Sequence, residues 1–388
     1  MTHQARVSKR SAVDAFLVMD MLRQANELAA VGKDIVHMAA GQPGTGAPTN
    51  VIEAAKAALD NEMLGYTESL GMPVLREKIA AYYHQKYGIT LSPERVVVTT
   101  GSSGSFILAF LAAFEAGDKV ALPTPGYPAY RNILNALGVE TPAIETTTAN
   151  RWVPGVQDLD NLVNEGPLHG LLVASPNNPT GTMIKPAALK ELVEKCNQLG
   201  LWMISDEIYH GLNYEMEAAC ALQFSDEPIV INSFSKYFCM TGWRIGWMVV
   251  PERLVRPVEK LAQSLFISAP TLSQIAAVAA FDATEELESR KQIYAANRAL
   301  LLKELPLIGL DEFLPVDGAF YLYADVRKFT NDSFSFAQKM LNEIGVAVTP
   351  GADFDHTRGN QYIRLSFAGS TASVEQAVER IGNWLKKA

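Results

Sequence analysis

Residues 233–247 read SFSKYFCMTGWRIGW and directly follow an apolar run, 229–232, that predicts a buried strand. Lysine is rarely buried without a partner. A desolvated lysine has a lowered pKa, so the neutral amine of Lys236 can condense with an aldehyde. Arg244 follows closely enough to bind an anion beside that amine. A surface lysine and arginine on an ordinary loop are the alternative interpretation.

The sequence around this segment alternates helical patterns with short apolar runs from about residue 51 to residue 281. Near-continuous aliphatic runs are typical of strands covered on both faces, and their alternation with helices predicts a mainly parallel sheet. One amphipathic helix is marked by apolar residues at Leu189, Leu192, Val193 and Cys196. The predicted strands are 95–99, 119–122, 171–174, 201–205, 229–232 and 245–250.

The last third of the chain has a different pattern. It predicts a long helix over 284–304, strands at 319–323, 346–349 and 362–367, and a final amphipathic helix. We therefore expect an α/β fold with a large domain, 46–283, whose mainly parallel mixed sheet is flanked by helices. A smaller α+β domain would comprise residues 1–45 and 284–388, because the strand–helix alternation begins only after the first segment.

Four further polar motifs follow predicted strands, where the ligand crevice of a parallel sheet lies. Each also has an ordinary interpretation as a turn, a helix cap or simple packing. Arg364 alternates with apolar residues on a predicted strand, where its guanidinium can bind a carboxylate or face solvent. The motifs are VVTTGSSGS at 97–105, PTPGYPAY at 123–130, SPNNPTG at 175–181 and SDEIY at 205–209.

These motifs, in this order, resemble those of the class I aminotransferases, which are fold-type-I enzymes dependent on pyridoxal 5'-phosphate (PLP). The resemblance extends from about residue 40 to residue 368. It rests above all on the lysine segment and on the NPTG motif at 178–181. One departure is Cys239, which stands where Gly, Ser or Ala is more usual.

The resemblance implies a role for each motif. Lys236 would hold PLP and act as general base, with Asp206 paired to the pyridine nitrogen and Tyr209 hydrogen-bonded to the phenolic oxygen. The remaining implied cofactor contacts are Ser102, Ser103, Ser233 and Arg244 to the phosphate, Tyr127 stacked on the ring, and Asn178 to the phenolic oxygen. The substrate carboxylate would bind Gly41, Asn178 and Arg364. Tyr66 would reach the cofactor phosphate of the other subunit, which implies a homodimer.

Composition narrows the function classes. The chain has 388 residues, 48% of them hydrophobic and 19% charged, which excludes general disorder. A net charge of −9 disfavours a nucleic-acid surface. Three cysteines without CxxC and six histidines without metal-site spacing favour a reducing cytoplasm and no metal site. The apolar run at 106–114 is shorter than the roughly 20 residues that span a bilayer, and the stretch 15–19 lacks the features of an export signal.

The expected function is amino-group transfer from an L-amino acid to a 2-oxo acid by a ping-pong mechanism. A C–S β-lyase on the same fold is the first alternative, since the fold does not choose the reaction. A PLP-binding regulator and a NAD-dependent dehydrogenase fit less well: the chain begins its core without a DNA-binding domain, and residues 101–105 are not GxGxxG. Some bacterial aspartate aminotransferases carry a lysine at the position of Ser103, so the serine disfavours aspartate.

Overall fold

The computed structural model describes residues 5–387. Its strands are β1 (Val36–His37), β2 (Val96–Thr99), β3 (Val120–Thr124), β4 (Ala143–Glu145), β5 (Gly170–Ala174), β6 (Trp202–Asp206), β7 (Ile229–Ser233), β8 (Gly246–Val249), β9 (Tyr321–Asp325), β10 (Val346–Ala347), β11 (Thr349–Pro350) and β12 (Tyr362–Ser366). Its α-helices are α1 (Leu17–Ala30), α2 (Thr49–Asn61), α3 (Pro73–Tyr87), α4 (Gly101–Ala113), α5 (Pro128–Leu137), α6 (Val156–Glu165), α7 (Pro186–Leu199), α8 (Glu252–Leu265), α9 (Thr271–Ala280), α10 (Thr284–Glu304), α11 (Ser333–Ile344) and α12 (Thr371–Leu385).

A seven-stranded sheet with the order β2-β8-β7-β6-β5-β3-β4 forms the centre of the molecule. Strand β8 runs antiparallel to both of its neighbours, and the other neighbouring pairs are parallel. The carboxyl ends of β3, β5, β6 and β7 therefore meet at one edge, where the polar motifs follow. This confirms the predicted α/β class with a mainly parallel mixed sheet.

The sheet is covered on both faces, which explains its continuous apolar strands. In β7, Ile229 and Ile231 belong to one core cluster and Val230 to the other. In β5, Leu172 likewise lies in the first cluster, whereas Leu171 and Val173 lie in the second. Side chains alternate across a strand, so a strand buried on both sides has no polar face.

Two smaller sheets lie outside this layer. Strands β11, β12 and β9 form an antiparallel three-stranded sheet, and β1 pairs in parallel with β10. The strand predicted at 346–349 is wrong in extent, because it changes partner at Val348. Its first half bonds to β1, while Thr349 pairs with Arg364 of β12.

Strands β1 and β4 were not predicted. Each has only two or three residues, too few for a residue pattern to identify a strand. Strand β4 is an edge strand that pairs with β3 alone. Within residues 5–387, no helix is both long and apolar enough to cross a membrane, and no cluster of three His, Cys, Asp or Glu side chains is arranged to bind a metal.

Candidate active site

The loop after β7 places Lys236 in a cavity of about 400 Å³. Its Nζ donates a hydrogen bond to the Gly41 carbonyl at 2.6 Å. Burial, together with the nearby charges of Arg364 and Arg244, lowers the pKa of Lys236 to about 8, and the Asp206 charge opposes this shift. The side chain is only partly covered, because it faces the cavity rather than a packed core. A pKa of about 8 leaves roughly a tenth of this amine uncharged at pH 7, far more than an ordinary lysine.

Asp206, the last residue of β6, is 2% exposed and does not itself line the cavity. One carboxylate oxygen accepts the hydroxyl of Tyr130, and the other accepts the Ile208 backbone N–H at 3.1 Å. Burial raises the pKa of Asp206 to about 6, against the opposing effects of these two hydrogen bonds and of Lys236. A cation placed beside this carboxylate would therefore be strongly favoured.

The phenol of Tyr209 follows Asp206 on the same turn. Its hydroxyl lies 2.8 Å from that of Tyr321, a residue of β9 that the sequence did not single out. Lys236 Nζ lies 5.6 Å from the centre of the Tyr209 ring. A side chain at Gly41 would collide with the Tyr321 hydroxyl, so only glycine permits this close approach. The large sheet and the small sheet thus meet at this pair of phenols.

A cradle for an anion lies at the first turn of α4. Gly101 has φ +67°, and a Cβ atom there would overlap the Arg244 guanidinium. The helix begins without a side-chain cap, which leaves its first N–H groups for a ligand. Ser102 and Ser103 line the cavity beside Arg244.

The two serines before the lysine differ in position. Ser233 is buried, and its Oγ accepts the Ser235 N–H at 3.0 Å. It is Ser235, which the sequence did not single out, that lines the cavity. The departure at Cys239 is small and buried, and its thiol donates to the Tyr237 carbonyl at 3.6 Å.

Arg364 lies buried on β12, so the alternative of a solvent-facing arginine is wrong. Its Nη1 donates to the Asn178 side-chain oxygen at 2.7 Å, and its Nη2 donates to the Ala39 carbonyl at 2.6 Å. The guanidinium carbon lies 4.3 Å from the Tyr321 ring centre and 4.9 Å from that of Phe354. This planar, held cation has the geometry to bind a carboxylate.

Tyr127 also lines the cavity, as the sequence predicted. Its ring stacks against Phe16 with centroids 6.1 Å apart. Tyr130, on the first turn of α5, also lines the cavity, and its hydroxyl bonds Asp206.

Helix α1 forms one wall of the cavity, which the sequence did not predict. Phe16, Val18, Met19 and Leu22 line it. Asp353 holds the start of this helix by accepting the N–H groups of Leu17 at 3.0 Å and of Val18 at 3.2 Å. The only sequence signal was the apolar spacing at 15–22, which does not reveal what the helix contacts.

Tyr66 is the one predicted site residue that stands apart. It is 83% exposed and does not line the cavity of its own chain. All the other predicted residues converge on the cavity or on the strand ends beside it.

These residues fit PLP. The cradle at Gly101 and Arg244 matches a phosphate, the buried Asp206 matches a cationic ring nitrogen, and Lys236 supplies an amine of lowered pKa. The aromatic face of Tyr127 can cover a flat ring.

Comparisons with known proteins agree with this geometry. A family model for aminotransferase class I and II matches residues 33–381. Valine–pyruvate aminotransferase of Mycobacterium tuberculosis is 50% identical over 384 residues, covering 98% of each chain. (5-Formylfuran-3-yl)methyl phosphate transaminase of Methanocaldococcus jannaschii is 34% identical over 96% of this chain and 98% of its own. A crystal structure of an aminotransferase from Mycobacterium tuberculosis superposes with a TM-score of 0.97 at 49% identity, covering 99% of this chain and 100% of that chain.

The chain therefore belongs to the class I and II aminotransferase family. It is a PLP-dependent enzyme that moves the amino group of an amino acid to a 2-oxo acid. The expected class, function and cofactor are confirmed.

Proposed function

We propose that the amino donor has an apolar side chain, with valine in this class, and that pyruvate is an acceptor. The observation that carries this proposal is the lining of the cavity. Its only lysine and arginine side chains among residues 5–387 are Lys236, Arg244 and Arg364. The wall from α1 is apolar, and Ser103 offers no charge to a second carboxylate. The relative named valine–pyruvate aminotransferase supports the same class.

The residue roles proposed here follow the geometry. Arg364, Asn178 and Gly41 hold the substrate α-carboxylate. Arg244, Ser102 and Ser103 hold the cofactor phosphate, and Tyr127 covers the ring. Ser233, which the resemblance assigns to the phosphate, instead holds the backbone of Ser235 at the cavity wall. Tyr209 and Asn178 hydrogen-bond the phenolic oxygen of the cofactor.

Lys236 and Asp206 carry the proton chemistry. When bound, PLP supplies a cationic ring that accepts the electron pair left when the substrate loses its Cα proton. Lys236 Nζ removes that proton, which its lowered pKa permits near neutral pH. Asp206 keeps a negative charge against the ring nitrogen, with Tyr130 holding the carboxylate in place.

The test is a single half-reaction. The holoenzyme is mixed with one amino acid and no acceptor, and the released 2-oxo acid is quantified. We expect valine to yield about one equivalent per site and to react faster than aspartate. Faster reaction of aspartate would refute the apolar-donor assignment. Ammonia and pyruvate released from a thioether amino acid would instead support the β-lyase.

The Lys236→Ala variant tests the central role in the same assay. We expect loss of nearly all turnover, whereas Lys190→Ala, which alters an exposed pair with Glu194, serves as the matched control. Transamination by Lys236→Ala at a rate comparable to wild type would overturn the role of Lys236.

We also propose a homodimer. Large apolar side chains are exposed on two neighbouring segments, with Met63 at 93% and Ile267 at 49%. The two segments are held together where Thr271 Oγ1 donates to the Gly65 carbonyl. An exposed apolar face of this kind is typical of a protein interface, and Tyr66 lies within it. Sedimentation equilibrium giving a monomer at micromolar concentration would contradict the proposal.

The two-domain division and the cytoplasmic location are proposals as well. All strands of the seven-stranded sheet lie within the proposed large domain, 46–283, while β1 of the first segment pairs with β10 of the last. Limited proteolysis that cuts near residues 45 and 283 would support these boundaries. Three buried thiols without a disulfide suit a reducing compartment, and cell fractionation tests that location.

A further inference from the structure

Two buried phenols meet where the large sheet and the small sheet face each other. Tyr209 lies on the turn after β6 and is 3% exposed, and Tyr321 is the first residue of β9 and is 1% exposed. Their hydroxyl oxygens are 2.8 Å apart, and both residues line the active-site cavity. The roles proposed above give a task to Tyr209 but none to Tyr321.

The two hydroxyls share their protons in one of two ways. Within residues 5–387, each hydroxyl has only the other as a hydrogen-bond partner. A tyrosine hydroxyl has one proton and can also accept a hydrogen bond. One proton of the pair therefore lies between the oxygens, and the other is left for a ligand in the cavity. If Tyr209 donates to Tyr321, its own proton is used and it cannot donate to a cofactor.

The surroundings of Tyr321 favour it as the donor within the pair. Arg364 pairs with Tyr323 of β9, so Tyr321 and Arg364 are diagonal neighbours on one face of the small sheet, and the guanidinium carbon lies 4.3 Å from the Tyr321 ring centre. A cation beside a phenol stabilises the negative charge that its oxygen gains on donating. Burial raises the pKa of Tyr209 well above its usual range, and it also raises the pKa of Tyr321, where the Arg364 charge is the main opposing effect. The more acidic phenol is the better donor.

The other charged and titratable groups around the pair make no hydrogen bond to it. Lys236 Nζ lies 5.6 Å from the Tyr209 ring centre but donates to a backbone carbonyl. The Asp206 carboxylate accepts a hydroxyl from α5. In the part of the chain that the structure describes, neither these groups nor the nearby Tyr127 bond either hydroxyl. The contact with Tyr321 is therefore what orients the Tyr209 hydroxyl.

We propose that Tyr321 is a positioning residue, whose hydroxyl donates to that of Tyr209 and thereby directs the Tyr209 proton to the phenolic oxygen of the cofactor. This inference rests on the role proposed above for Tyr209. A hydroxyl that already accepts a hydrogen bond is polarised and becomes a stronger donor. Loss of the Tyr321 hydroxyl should therefore weaken the bond from Tyr209 to the cofactor.

The decisive measurement is the pH titration of the visible absorbance of the holoenzyme, which reports protonation of the nitrogen that joins Lys236 to PLP. The phenolic oxygen is more negative when that nitrogen has lost its proton, so a donor to the oxygen favours the deprotonated form. Tyr321→Phe keeps the ring beside Arg364 and removes only the hydroxyl. We expect the midpoint of the titration to rise by roughly 0.4–1 pH unit, the equivalent of one neutral hydrogen bond.

Tyr323→Phe is the matched control. Tyr323 is buried on the same strand, does not line the cavity, and has a hydroxyl without a hydrogen-bond partner among residues 5–387. Its titration midpoint should equal that of wild type, and thermal unfolding of both apoenzymes shows that each variant is folded. The KM for valine should stay close to wild type in Tyr321→Phe, because the ring remains beside Arg364. A raised KM with an unmoved midpoint would show that Tyr321 acts through Arg364 and would overturn the inference.

Tyr209→Phe and the double variant separate positioning from direct contact. Tyr209→Phe removes the donor itself, so its midpoint should rise further than that of Tyr321→Phe, and the double variant should match Tyr209→Phe. A double variant whose midpoint differs from that of Tyr209→Phe would show that Tyr321 contacts the cofactor directly.

The same set of variants distinguishes two failures. If Tyr209→Phe moves the midpoint and Tyr321→Phe does not, the positioning role of Tyr321 alone is wrong. If Tyr209→Phe leaves the midpoint unchanged, the role proposed for Tyr209 fails, and the inference fails with it. Failure of the amino-transfer chemistry would appear separately, as activity retained by Lys236→Ala.

Discussion

At the scale of single residues, the hydroxyl of Tyr130 controls the charge of Asp206. It donates a hydrogen bond that favours the ionised carboxylate, against the burial that raises the pKa of Asp206. Tyr130→Phe removes this donor, so the pKa should rise by about one unit. We expect the acid limb of the kcat–pH profile to move to higher pH by a similar amount. Tyr214→Phe, which removes a buried hydroxyl bonded to a backbone carbonyl, should leave the profile in place.

Arg364 offers a second test at this scale. Its guanidinium makes two directed contacts that a lysine ammonium cannot reproduce, to Asn178 and to the Ala39 carbonyl. Losing one hydrogen bond to a charged group costs about 1.5–3 kcal/mol. Arg364→Lys should therefore raise the KM for the amino acid roughly 10- to 150-fold, with a much smaller change in cofactor affinity. An unchanged KM would exclude Arg364 from binding the carboxylate.

The convergence of Lys236, Asn178 and Arg364 was predictable from sequence through the resemblance of their motifs, in chain order, to those of the class I aminotransferases. Tyr321 and Asp353 were not predictable. Each contacts a residue that is distant in sequence. No local pattern marks a hydroxyl that bonds Tyr209 or a carboxylate that caps α1. Tyr130 was noticed as an aromatic residue, but its hydrogen bond to Asp206 depends on the pairing of β3, β5 and β6.

At the scale of elements, we expect the start of α4 to be highly sensitive to a small substitution. Gly101→Ala would place a methyl group onto the Arg244 guanidinium in a left-handed conformation. We expect cofactor affinity to fall by at least tenfold, since the cation would be displaced from the helix N-terminus. Gly117 also has a positive φ, but a Cβ atom there would meet nothing within 4 Å. Gly117→Ala therefore measures the cost of the backbone conformation without the collision. Equal cofactor affinities, measured by titration of the two apoenzymes, would remove α4 and Arg244 from the phosphate site.

The long elements were predictable because their patterns are local. Helix α10 has the predicted bounds, and β2, β5 and β7 each differ from the predicted strand by one residue at one end. The exchange of partner at Val348 was not predictable, because continuous strand propensity at 346–349 contains no information about which neighbour each half will bond. The local sequence pattern thus predicts where a helix or strand lies better than it predicts which strand it pairs with.

At the scale of the whole molecule, the active site is assembled from distant parts of one chain. Helix α1, the segments that follow strands of the large sheet, and β9 and β12 of the small sheet all contribute side chains to the cavity. In the proposed dimer, Tyr66 would contribute to the active site of the other subunit. It is exposed on the apolar face proposed as the dimer interface. A residue that serves only the neighbouring subunit should be exposed in its own.

Subunit complementation tests this arrangement directly. Homodimers of Lys236→Ala lack the amine, and homodimers of Tyr66→Ala should bind PLP weakly and be nearly inactive at limiting cofactor. In a mixed dimer, the subunit that keeps Lys236 faces the subunit that keeps Tyr66, so one of its two sites is complete. Random mixing of equal amounts makes half of the dimers mixed, which restores about a quarter of the wild-type sites. Activity that stays at the mean of the two parent variants after unfolding and refolding together would show that Tyr66 serves its own subunit or no site at all.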